Sequence, residues 1–107
     1  MTYEEIVLKV SQAYENADAR EIFEHVAIQV NIEGEGAGAF YVEVANREVC
    51  VEPYDYYDRD GLFTATGKTL MDIAENRISP KEAYDTGLLK IEGNWDKINL
   101  LKKIKTK

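Results

Sequence analysis

A chain of 107 residues, 45% hydrophobic and 31% charged with two prolines, has room for one core, and residues 1–107 are expected to form a single domain. The net charge of −7 is the opposite of the basic surface that phosphate contacts demand, so nucleic acid is not an expected partner. Cys50 stands alone and cannot close an intramolecular disulfide, and no apolar run approaches a signal-peptide core or a membrane span, which points to a reducing cytoplasm.

Taken in chain order, Thr2 and Glu5 have the spacing of a capping box, and Ile6, Val10, Ala13, Tyr14 and Ala17 then keep to one helical face. Asp18 with Glu21 reads as a second helix start, followed by Ile22, Phe23 and Val26 in a short helix that includes His25. In AIQVNIE, Ile28, Val30 and Ile32 alternate with Gln29, Asn31 and Glu33, the period of a strand with one buried and one wet face. GEGAG reads as a loop. FYVEV, Asn46-Arg47 and VCVE then read as a hairpin with Phe40, Val42 and Val44 facing inward.

YDYYDRDG is an acidic aromatic loop, LFTAT a further strand, and KTLMDIAEN a helix with Leu70 and Ile73 on one side and Asn76 as a left-handed stop. Ser79 caps a short helix with Pro80 at its first position, Ala83 and Tyr84 on its apolar face and Gly87 at its end. Leu89 and Ile91 alternate with Lys90 and Glu92 in a last strand. Gly93 breaks it, and Asn94 caps a helix on which Trp95, Ile98, Leu101 and Ile104 share a face. This order gives an α+β fold, a mainly antiparallel sheet with helices gathered on one face, an arrangement that can leave an apolar slot between its layers.

Three motifs imitate ligand sites and fail on spacing or context. GEGAGA would have to open a helix to hold a pyrophosphate, and a period-two strand follows it instead. TATGKT ends like a phosphate loop, but the position five before Gly67 is Leu62, so Lys68 and Thr69 read as a helix entry. DRDG as a calcium loop would put Tyr56 at the first ligand position and Gly67 at the twelfth. His25 and Cys50 have no second His or Cys with which to hold zinc, and the strand position of Cys50 reads as inert packing. No catalytic residue, cofactor or metal is expected.

Two features leave alternatives open. Tyr54, Tyr56 and Tyr57 either form an interaction surface or cover the sheet edge. Residues 94–107 carry Lys97, Lys102, Lys103, Lys105 and Lys107 against Asp96, a local +4 that leaves −11 on residues 1–93. Those lysines either complement the helix dipole and cover apolar surface with their stems, or bring the segment to an anionic membrane or an acidic partner.

The second half of the chain resembles the sterol carrier protein type two (SCP2-like sterol-binding) domain family. The resemblance is carried by LFTATGKTLMDIAENRISPKEAYDTGLLKIEGN and the following NWDKINLLKKI; the first half agrees in the order of its elements. It implies a five-stranded sheet with helices on one face, enclosing a tunnel for a fatty acyl chain, acyl-CoA or sterol-like ligand. By position, Phe40, Val42, Leu70, Ile73, Tyr84, Leu89, Ile91, Trp95, Ile98 and Leu101 would line that tunnel. The peroxisomal members end in a targeting tripeptide, whereas this sequence ends Lys-Thr-Lys, so peroxisomal import is not expected. Two other functions compete with lipid carriage: a non-catalytic accessory module with a filled core, and a small enzyme built on Cys50 or His25.

Overall fold

A computed structural model of the chain describes residues 1–105. The last lysine of the basic segment, Lys107, and with it part of the closing Lys-Thr-Lys, lie outside the described residues.

Helix α1 spans Tyr3–Ala13 and starts on a complete capping box: Glu5 N donates to Thr2 Oγ1 at 3.2 Å, and Thr2 N donates to Glu5 Oε1 at 2.8 Å. Ile6, Val7 and Val10 are its buried side chains. Three strands follow, β1 (Val26–Glu33), β2 (Gly38–Ala45) and β3 (Glu48–Glu52). Asn46 and Arg47 take positive φ at 53° and 65°, the pair of left-handed conformations that a two-residue hairpin with the native strand twist requires. β4 (Gly61–Thr66) leads directly into α2 (Gly67–Ala74), then come α3 (Pro80–Asp85), β5 (Lys90–Gly93) and α4 (Trp95–Leu100), which tightens into a 3₁₀ turn over Leu101–Lys103.

The five strands form one sheet in the order β3-β2-β1-β4-β5. It is mainly antiparallel with one parallel pair, β1 beside β4, in which Ile28 stands next to Gly61 and Val30 next to Phe63. The α+β arrangement is therefore as the sequence implies. Ile28, Val30, Phe40 and Val44 on the inner face are packed with Ile6, Val10, Leu70, Met71 and Ile98 from the helices in one apolar cluster.

Three local expectations are corrected. Residues 18–25 are not a helix. The Asp18 carboxylate turns onto Arg20 N at 2.9 Å, its backbone pairs with Lys105, and Arg47 Nε takes the Arg20 carbonyl that a helix would have needed. His25 is thus an exposed residue just ahead of β1, and Phe23, 79% exposed, lies under the Arg47 guanidinium. Second, the last helix stops at Leu100, and Ile104 is extended, because Lys105 must align with Asp18 for their two backbone bonds of 2.7 and 2.8 Å. Third, β1 is covered on both faces: Ala27 and Gln29, on the face expected to be wet, are buried. The acidic aromatic loop lies over them, with Tyr56 N donating to Gln29 Oε1 at 3.0 Å.

Candidate functional site

Between the inner face of the sheet and the helices lies a cavity of about 90 Å³. β1 contributes Ile28 and Val30, β2 Phe40 and Val42, and β4 Phe63. α1 contributes Val10 and Tyr14, and α2 Leu70, Ile73 and Ala74, with Pro80, Leu89 and Leu101 completing the lining. Each strand residue is there because side chains two apart share a face, and each helix residue because positions three or four apart share a stripe. Leu89 reaches the cavity because its N–H, with that of Leu88, returns to the Ala83 carbonyl after α3, turning the chain under that helix. Asn76, at φ 61°, and the cap of Ser79 on Glu82 N similarly bring Pro80 against the end of α2.

Of the ten residues expected around a tunnel, Phe40, Val42, Leu70, Ile73, Leu89 and Leu101 line this cavity. Ile98 does not: it is buried against Ile28 and the bare Cα of Gly61. Ile91 is half-buried at the side of the core. Tyr84 and Trp95 are surface residues, 43% and 41% exposed, whose rings meet edge to face at 5.4 Å. The expectation left out Val10, Tyr14, Ile28, Val30, Phe63 and Ala74, which the same periodicities place on inward faces, and Pro80, which no pattern marks as lining.

Among the described residues none that lines the cavity is charged, and Tyr14 is the one lining side chain with a polar atom. Burial pushes the Tyr14 phenol above its ordinary range.

A second cluster occupies the outer face of the sheet. His25 Nε2 lies 2.6 Å from Glu43 Oε2, and the Tyr56 hydroxyl donates to the same oxygen at 2.8 Å. The contact with His25, and then that with Tyr56, hold the Glu43 carboxyl below its usual range, while the bond to Glu43 pushes the Tyr56 phenol up to about 12. Tyr56 also packs edge-on against Tyr41 at 5.0 Å, so it covers the sheet, while Tyr54 and Tyr57 stay exposed. Cys50, read from the sequence as buried packing, is exposed on β3, where its neighbour across the strand pair is Glu43. Partial burial and then Glu52, which accepts its S–H at 3.4 Å, push the thiol up, away from the thiolate a nucleophile needs.

At the far end of β1 and β4 an open groove of about 610 Å³ gathers Glu33, Glu35, Lys68, Asp72 and Arg77 around the chain's amino group. Most of its charges pair with one another: Lys68 and Arg77 with Asp72, and the amino group with Glu35. Thr66 spends its hydroxyl capping Thr69 N, so TATGKT is indeed a helix entry. Within the basic C-terminal segment, Lys97 meets Glu24 and Lys105 meets Glu21, while Lys102 and Lys103 are exposed. Among the described residues no group of His, Cys, Asp or Glu is placed to hold a metal ion, and no helix is long and apolar enough to cross a membrane.

The family model of the SCP-2 sterol transfer family matches residues 6–105. Solved structures share the fold at low identity. Sterol carrier protein 2 like 2 from Aedes aegypti is 17% identical, with a TM-score of 0.68 over 92% of this chain and 91% of that one. Sterol carrier protein 2 from the same organism, solved in complex with the fatty acid palmitate, is 20% identical, with a TM-score of 0.58 over 95% of this chain and 92% of that one. The stereoselective inverting sec-alkylsulfatase of Pseudomonas sp. is 14% identical, with a TM-score of 0.62 over 92% of this chain but 14% of the sulfatase. No curated protein sequence matches the chain.

Proposed function

The chain belongs to the SCP-2 sterol transfer family, and we propose from that premise that it binds and carries a lipid between its sheet and its helices without transforming it. The observation that carries this reading is the interlayer cavity, walled almost entirely by hydrocarbon from both layers. Such a space rewards an alkyl or ring system, and Tyr14 supplies the one polar side chain among its described lining residues. Sheltering about eight to ten methylenes at ~0.8 kcal/mol each is a gross gain of roughly 6–8 kcal/mol. A micromolar affinity corresponds to about 8 kcal/mol, so the gross gain sets micromolar as the upper bound and ordering costs make the net binding weaker, in the range from which a carrier releases its lipid.

A cavity of about 90 Å³ is smaller than the ~150 Å³ known to admit a benzene ring, so the ligand must widen it. The sheet wall will not yield, because β1 is hydrogen-bonded along both edges, to β2 and to β4. The helical wall moves instead, with Leu70 and Ile73 on α2 and Leu101 in the 3₁₀ turn as the side chains that must shift. The small resting volume also favours a second reading, a non-catalytic accessory module whose core stays filled and whose exposed Tyr54 and Tyr57, or Lys102 and Lys103, meet a partner.

One titration separates the two. A fluorescent fatty acid is added to the protein and its energy transfer from Trp95 is followed, with unlabelled fatty acid, acyl-CoA and sterol as competitors. Saturable transfer that one lipid class displaces supports carriage. Absence of transfer from a folded protein removes carriage and leaves the accessory module.

A further inference from the structure

Among the described residues, the cavity lining is hydrocarbon except at one residue. Tyr14 closes α1 as its C-cap, and its backbone N–H turns back to the Val10 and Ser11 carbonyls, which fixes where the ring leaves the helix. The ring lines the cavity, and among the described residues its hydroxyl makes no hydrogen bond. Tyr3 and Tyr56, by contrast, bond through their hydroxyls to the Ala39 carbonyl and to Glu43. A half-buried phenol whose hydroxyl reaches solvent and has no protein partner, beside an otherwise apolar space, is a donor that a ligand's acceptor can take over from water.

The electrostatics decide which acceptor. Among the described residues, no lysine, arginine or histidine lines the cavity to balance an anion. The last turn of α1 carries no basic residue, and the negative end of its helix dipole lies beside Tyr14. A carboxylate entering head-first would lose its hydration and find one hydrogen bond and no countercharge. An alcohol or a carbonyl loses far less and gains the same bond. Burial also keeps the phenol protonated, so it is present as a donor at neutral pH.

Resting on the carrier reading, the geometry points to Tyr14 as the residue that reads the polar end of the lipid, and to a lipid whose buried end is uncharged, a hydroxyl or a carbonyl, rather than a carboxylate.

The test is displacement of a fluorescent acyl probe by four ligands with the same twelve-carbon chain, dodecan-1-ol, dodecan-2-one, laurate and dodecane, at neutral pH. Wild type is compared with Tyr14→Phe, which removes one oxygen and leaves the ring. Dodecanol, dodecanone or both should bind wild type about three- to tenfold more tightly than dodecane, the worth of one hydrogen bond, with laurate no better than dodecane. Which of the two polar ligands gains tells a hydroxyl-bearing from a carbonyl-bearing lipid. In Tyr14→Phe that gain should vanish while dodecane is unchanged, and the retained dodecane affinity shows that fold and cavity are intact. Laurate binding as tightly as dodecanol overturns the assignment, as does an undiminished gain in Tyr14→Phe; either leaves carriage standing. Binding of none of the four by folded protein overturns carriage itself and the assignment with it.

Discussion

Asp60 is tied to Ala27 twice: its backbone N–H donates to the Ala27 carbonyl at 2.7 Å, and its Oδ2 accepts the Ala27 N–H at 2.8 Å. Its own carbonyl accepts from Asn94 N at 2.8 Å, so one residue joins the entrances of the parallel pair β1 and β4 to the end of β5. Ala27 is fully buried, so its N–H has no water to turn to if the carboxylate is lost. Asp60→Ala should therefore lower stability by about 1–3 kcal/mol, whereas Asp60→Asn, which keeps an oxygen acceptor, should lose clearly less. Urea unfolding of the two variants at a common slope checks this. Equal losses would mean that charge, not the acceptor, matters at this position.

Gly93 sits on the other side of the same junction, at φ 126°, where an added Cβ would stand 2.7 Å from the Gly61 Cα and closer still to the Asp60 carbonyl. Both obstacles are backbone in the sheet and cannot step aside. At Gly61 the obstacles are the ends of two side chains, Ile98 Cδ1 at 2.8 Å and Ile28 Cδ1 at 2.9 Å. Gly61→Ala should cost about 1–3 kcal/mol through overpacking between α4 and the sheet. Gly93→Ala should cost more, because it adds backbone strain to the clash. Thermal melts would order the two variants, and the reverse order would show that β5 is loosely held.

The outer-face cluster sets a pH signature. The Tyr56 phenol is raised in the folded protein from 10.0 to about 12, so the neutral phenol is the form that folding favours. Its contribution is complete below pH 10 and is lost as pH climbs toward 12. Glu43 is shifted the opposite way, lowered from 4.5, so its contribution is present above that value and fades as acid protonates it. The difference in stability between wild type and Tyr56→Phe should be flat near neutrality and shrink above pH 10. Taking the difference matters because Tyr3, Tyr14 and Tyr41 are raised as well. A difference that stays constant through the alkaline range would show that the bond to Glu43 does not persist in solution.

How much of this was legible depends on whether a signal was local. The Thr2–Glu5 box, the left-handed stops at Asn76 and Gly87 and the Asn94 cap are decided within a few residues, and each stands where the sequence puts it. Asp18 and Glu21 have cap spacing too, yet the structure spends Asp18 on Lys105, 87 residues away, a competition that no local pattern records. The burial of Gln29 is likewise decided by a loop some thirty residues on, whose Tyr56 and Arg59 bond to its amide oxygen. At the cavity, residues on regular faces such as Phe40, Leu70 and Ile73 could be read ahead of time. Trp95 begins the last helix and has helical spacing to Ile98, but spacing alone does not tell which end of a stripe reaches the interior, and Tyr84 keeps it at the surface.

Leu89 gives the most direct test of whether the helical wall can make room. It is 2% exposed and faces the cavity from the turn after α3. Leu89→Ala should cost about 2–4 kcal/mol in the absence of ligand, the lost transfer energy plus the void left behind. The void is continuous with the existing cavity, so a hydrocarbon can refill it without moving a helix. A ligand at about a hundred times its Kd stabilises the state that binds it by ~2.7 kcal/mol. If wild type opens readily, dodecane should raise the melting temperature of wild type and variant alike. If the wild-type core is locked, dodecane should stabilise Leu89→Ala alone, because there the mutation has done the widening that a bound lipid would otherwise have to do.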